Sequence, residues 1–103
     1  MTLAELLVDA AEPLTDVSAT VDPAGGVLWD RVGRAFAAIS ADGSTAEFRL
    51  DGAVADAALR TPDTARSRRG QDWVSFRPDT LDDPALDRAE AWFGSAWRRA
   101  ERP

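Results

Sequence analysis

The side chains best suited to chemistry in this sequence are arginines and tryptophans, and they crowd into one stretch. Residues 66–77 read RSRRGQDWVSFR, with Arg66, Arg68, Arg69 and Arg77 around Trp73. A guanidinium binds carboxylate or phosphate bidentately and stacks on aromatic rings, so such a stretch suits a nucleic acid, a partner protein, or only its own solvated loop. The surroundings weigh on that choice. All 12 basic residues are arginine and face 18 acids, for a net charge of −6. Phosphate neutralisation supplies most of the affinity of a nucleic-acid module, so an acidic chain would have to bind through a local patch.

Catalytic options are narrow. The sequence contains no histidine, cysteine, lysine or tyrosine. That removes the usual general base, the thiolate, the Schiff-base amine and nearly every zinc-site design. Carboxylates remain, but Asp79, Asp82 and Asp83 precede a helix whose capping accounts for them. DTLDDPALD lacks the glycine of an EF-hand loop, and DPAGG lacks the spacing and the Lys-Ser/Thr of a phosphate loop. The expectation is a non-catalytic protein with no metal and no cofactor.

With 103 residues, 45% of them hydrophobic and 29% charged, the chain reads as one globular domain. Its longest apolar runs fall far short of the ~20 residues that span a bilayer. Glu5, Asp9 and Glu12 near the N-terminus oppose the charge pattern of a secretory signal. The absence of cysteine removes any disulfide argument for secretion. A cytoplasmic protein without membrane contact is expected.

The elements that position these side chains follow from period and punctuation. TLAELLVDAA carries a capping-box pattern, Thr2 with Glu5 three residues on, and an apolar stripe ended by Pro13. VSATV alternates, DPAGG turns, and VLWDRV and AFAAIS are strand-like runs joined by a two-residue turn at Gly33-Arg34. After ADGS, TAEFRL alternates with Ala46, Phe48 and Leu50 on one side. DGAVADAALR reads as a helix capped by Asp51; PDTARSRRGQ reads as a mobile polar loop, and DWVSF as a strand. The last helix is expected to have Asp83 as its N-cap and Pro84 at its first position, and it ends in Arg98, Arg99 and Arg102, matching the helix dipole. Gly94 in its middle suggests another backbone passing close. The order α-β-β-β-β-α-β-α with short connections predicts an α+β two-layer sandwich, an antiparallel sheet of about four or five strands with helices on one face.

Side-chain alternation then predicts a platform. With Phe48, Val74, Phe76, Leu28 and Val32 under the helices, Trp29, Arg31, Glu47, Arg49, Trp73, Ser75 and Arg77 face away. The loop arginines Arg66, Arg68 and Arg69 lie beside them. Indole and guanidinium together serve single-stranded nucleic-acid readers and protein hot spots alike, and surface arginines also simply shelter tryptophans. The opposite phase of VLWDRV, which a one-residue bulge produces, would bury Trp29 instead.

VGRAFAAIS, TAEFRLD, QDWVSFRPDTLDD and AWFGSAWRRA together resemble the MmcQ/YjbR family of small domains and, nearly as closely, the TfoX N-terminal domain. The matching positions are Gly33, Phe36, Arg49, Trp73, Val74 and the helix carrying Trp97, over roughly residues 15–100. The resemblance implies a two-layer fold related to secretion-chaperone-like domains, and the YjbR type carries a DNA-binding label. Lysines and a histidine usual near that Trp strand are missing, with Asp72 in their place. Of the TfoX entry motif, only Gly25-Gly26 remain. The functional expectation is a binding domain that engages a protein partner or a second copy through the open sheet face. DNA or RNA binding through the Arg/Trp patch comes second.

Overall fold

In the computed structural model, which describes residues 1–101, the first helix closes as its sequence dictates. In α1 (Leu3–Ala11) the Glu5 N–H donates to Thr2 Oγ1 at 3.1 Å and the Thr2 N–H to Glu5 Oε1 at 3.0 Å. This reciprocal cap satisfies two otherwise orphaned donors. α2 (Gly52–Ala58) has Asp51 at its N-cap position, but that carboxylate makes no cap bond and instead reaches Arg99 Nε at 3.3 Å. α3 (Asp83–Arg99) is capped one residue earlier than expected: Asp82 Oδ1 accepts from the Ala85 N–H at 3.0 Å. Arg102 lies outside the described residues.

Among the described residues, six strands form one antiparallel sheet: β1 (Val17–Val21), β2 (Val27–Arg31), β3 (Arg34–Ile39), β4 (Ala46–Arg49), β5 (Thr64–Arg66) and β6 (Trp73–Phe76). Their order is β1-β2-β3-β4-β6-β5, with the three helices packed against the sheet. The α+β sandwich is therefore as expected. The extra strand, β5, falls within the segment read as a loop; three residues are too few to show a period.

The phase of β2 departs from expectation for a reason visible in the turn. The chain reverses at Val32-Gly33, not Gly33-Arg34, with φ of 52° and 82°. Two successive positive φ values are those of the tight hairpin whose twist matches its strands, although a β-branched residue rarely adopts one. Arg31 then pairs with Arg34, and the register shifts between Trp29 and Asp30, whose partners are Ala37 and Ala35. A slip of one residue moves every side chain to the opposite face. Trp29 and Arg31 therefore point towards the helices, Leu28 points away, and Val32 sits 77% exposed in the turn. The bulge leaves Phe36 without a partner in β2, and Phe36 and Ala37 are both in the core.

Phe36, Phe48, Phe76, Phe93, Leu7, Leu50 and Val74 are sealed between sheet and helices. The Phe93 ring meets Trp29 and Phe36 edge-on, with centroids 5.5 and 5.2 Å away, and Trp92 meets Phe76 at 5.1 Å. Such pairs add about 0.5–1.5 kcal/mol beyond the area they bury. Gly26 (φ 80°) is demanded by the packing, since a Cβ there would strike Ile39 O and the backbone of Ser40 and Ala41. Gly94 is not. Among the described residues its Cβ would meet only Arg98 Nη1, at 3.4 Å, so no backbone there explains a residue that costs a helix about 1 kcal/mol.

Candidate functional site

Pairing registers define the helix-free face. Thr20, Leu28, Ala38, Glu47, Ser75 and Ala65 form one row across all six strands, with Arg49 and Trp73 paired beside it. Val74 and Phe76 lie beneath the helices, so Trp73 takes the predicted face. Trp29 and Arg31 do not. Trp29 is core, and Arg31 stacks on the half-buried Trp97 ring at 3.9 Å while donating to Trp97 O at 3.0 Å. Arg34 donates to Ala100 O at 3.1 Å and Glu101 O at 3.0 Å. Two arginines of the β2–β3 hairpin thus satisfy carbonyls at the end of α3, where a helix dipole favours cations.

The platform expected around Trp73 is closed over. Residues 67–72, expected to be a mobile loop, form a strap pinned to the outer face. Arg69 Nε donates to Glu47 Oε1 at 2.9 Å, Arg69 Nη2 donates to Asp22 Oδ2, and Ser67 Oγ donates to Glu47 Oε2. The Arg69 N–H donates back to Ser67 Oγ at 3.1 Å, which fixes the bend. The guanidinium lies 5.5 Å from the Trp73 ring centroid, and Gly70 abuts the same indole. Trp73 is left 8% exposed, and Ala38, between Leu28 and Glu47, is fully buried outside the main core. No base can stack on an indole covered in this way.

Asp22 is 4% exposed, in the turn between β1 and β2. Its hydrogen bond from Arg69 outweighs desolvation and, with the Ala24 N–H, holds its carboxyl below the usual range. A buried carboxylate is tolerable only when paired and hydrogen-bonded, and both conditions are met here. The strap's far end is fixed by Asp72, which accepts from Arg99 Nη2 at 2.7 Å, while Leu50 N–H donates to Asp72 O at 2.8 Å. Asp72 is thus a brace between β6, β4 and α3.

The remaining candidate arginines are scattered. Arg49 is half-buried on the outer face, with Nη2 4.0 Å from Asp72. Arg66 faces the helix side at the β5 edge, and Arg68 is exposed on the strap. Arg77 lies past the far end of β6, where its N–H donates to Asp63 O at 2.9 Å. There it helps line a cleft of about 1100 Å³ with Ser40, Asp42, Ser44 and Asp79. Asp42 accepts from Ser40 Oγ, Ser44 N–H and Ser44 Oγ at 2.7–3.0 Å, which lowers its pKa to about 2 and explains it as a turn brace. Among the described residues, no three acidic side chains are arranged to hold a metal ion, and no helix is long and apolar enough to cross a membrane.

A feature the alternation argument passed over is the sheet's first edge. Among the described residues, β1 has only β2 beside it. The Asp22 N–H donates to Gly26 O, and the Val32 N–H to Asp16 O. Antiparallel strands alternate their bonding direction, so residues 16, 18, 20 and 22 spend their backbone groups on β2. Val17, Ala19 and Val21 turn theirs outward, where no described residue pairs with them. No charge lies between Asp16 and Asp22, and Val21 is 83% exposed. The uncharged VSATV run was the signal in the sequence. No protein-family model, curated protein or solved structure matches the chain.

Proposed function

We propose that the chain is a non-catalytic binding domain that engages an extended segment of a partner protein as an added strand along β1. The observation that carries this reading is the edge itself. Three outward N–H and three outward C=O groups, flanked by β-branched side chains and free of charge, form a template that soluble proteins otherwise blunt with lysine, proline or a bulge. Main-chain pairing supplies affinity in this mode, and pockets for alternate side chains supply selectivity. A second copy of the chain fits less well. Antiparallel self-pairing centred on Ala19 would set Asp16 of each chain opposite Asp22 of the other, between molecules of net charge −6.

The resemblance to MmcQ/YjbR domains keeps nucleic acid as the second reading, with Arg49, Arg66 and Arg68 as its remaining contacts. It ranks lower because Arg31 and Arg69 are engaged internally and both Trp29 and Trp73 are covered.

An array of eight-residue peptides rich in Val, Thr and Ile, screened against the folded domain, tests the proposal. Ala19→Pro deletes an outward N–H but leaves the β1–β2 ladder, whose bonds come from alternate residues. Peptides retained by the wild type and lost by Ala19→Pro and Val21→Lys are expected, with amide shifts at Val17, Ala19 and Val21. Peptides bound equally by all three proteins sink the proposal. So does binding confined to an oligonucleotide at about 20–50 mM salt that is lost in Arg68→Ala.

A further inference from the structure

We infer that the groove between α1 and α3 is a second docking site, for a basic amphipathic helix of a partner protein. The groove encloses about 900 Å³, and its floor is the half-buried Leu14 and Leu86, with the core residues Leu6 and Phe93 sealed beneath them. Asp9 stands on the α1 side and Asp83, Asp87 and Glu90 on the α3 side. None of these four carboxylates has an ion-pair partner among the described residues, so the rim presents four negative charges around an apolar floor. Its cation, Arg98, is turned to Ser95 Oγ at 3.2 Å. An apolar strip between acidic walls is complementary to a helix with a Leu-type stripe flanked by Lys or Arg.

Gly94 supplies the independent sign. It lines the same groove, in line with Asp83, Asp87, Glu90 and Arg98 at three- and four-residue spacing. Nothing among the described residues requires a glycine there. A missing side chain at this position lets a third helix approach to the short end of the 8–10 Å range of interaxial distances. Helix destabilisation without an internal reason is what a contact from outside accounts for.

The test uses a 14-residue Lys/Leu peptide with Leu at helical spacing, and a scrambled peptide of identical composition without the stripe. The striped peptide is expected to bind with an affinity that falls with salt, and the scrambled one at least tenfold more weakly. Gly94→Leu fills the groove while favouring the helix, so α3 stays folded; it is expected to lower affinity tenfold or more. Asp87→Lys with Glu90→Lys is expected to abolish binding, and Ala19→Pro to leave it unchanged, which separates this site from β1. Equal binding of the two peptides, or indifference to Gly94→Leu, overturns the inference. A dimer in sedimentation that dissociates in Gly94→Leu also overturns it, because the occupant is then a second copy.

Discussion

The two faces of this sheet are closed by opposite physical means. Beneath the helices, Trp29, Trp92 and the phenylalanines at 36, 48, 76 and 93 exclude water by apolar burial and edge-on ring contacts. On the other face one arginine, held by Asp22 and Glu47, draws a six-residue strap over a tryptophan. Apolar burial has no charge to screen or titrate, whereas a charge network is sensitive to both salt and pH. One face should therefore fail only with the whole fold, while the other can open by itself.

The largest effect is expected on the helix-covered face. Phe93→Ala removes the ring that Trp29 and Phe36 both contact, in a site with no exposure to relax into. A loss of about 3–5 kcal/mol is expected in urea unfolding, with a single cooperative transition at all salt concentrations. An effect below about 1 kcal/mol would mean that the core is not organised around α3.

The next effect belongs to the strap. Arg69→Ala leaves Asp22 buried without its cation, and uncompensated buried charges cost about 3–5 kcal/mol where no water reaches them. Arg69 retains partial exposure, so water can reach part of the site and about 2 kcal/mol is expected. The distinguishing signature is local. Trp73 emission should redden and become quenchable by acrylamide, while the amide exchange of β2–β4 stays protected. Quenching unchanged from wild type would show that the strap is held without Arg69.

Acid should attack the same face. Asp22 titrates below its ordinary value of 3.8 in the folded chain, so its stabilisation is complete above that value and fades as pH falls through the folded pKa. Away from that face, Asp42 in the turn between β3 and β4 adds a contribution of the same sign between 3.8 and about 2. The wild type should lose stability between pH 5 and pH 2. In Arg69→Ala this loss should be shallower, because Asp22 no longer has a depressed pKa to lose. Parallel curves for the two proteins would remove Asp22 from the account.

What was legible in the sequence divides along the same line. The α1 capping box, the amphipathic α3 and the alternation of β4 rest on residues two to four apart, and each stands where the pattern puts it. The phase of β2 rests on Val32 adopting a positive φ, against its β-branched preference, and on a bulge at Phe36. Neither leaves a local trace, so Trp29 and Arg31 were assigned to the wrong face. The strap is less legible still. Arg69 reaches Glu47 across 22 positions and Asp22 across 47, and each alone looks like a solvated charge. Trp73 was placed on the correct face, yet what covers it could not be read from its neighbours.

The smallest expected effect tests whether the strap is a specific device or merely a face that tolerates arginine. Arg49 occupies the same face as Arg69, paired with Trp73 across β4 and β6. Its nearest acid, Asp72, is 4.0 Å away, and the two side chains are 40% and 43% exposed. Water screens such a pair, and Asp72 keeps its stronger bond from Arg99 in any case. Arg49→Ala is therefore expected to change stability by less than about 0.5 kcal/mol and to leave Trp73 quenching unaltered. The ratio between the two substitutions carries the argument. Were Arg49→Ala to cost as much as Arg69→Ala, the outer face would be held by diffuse charge, and the closure over Trp73 would not depend on the three-way contact of Arg69, Asp22 and Glu47.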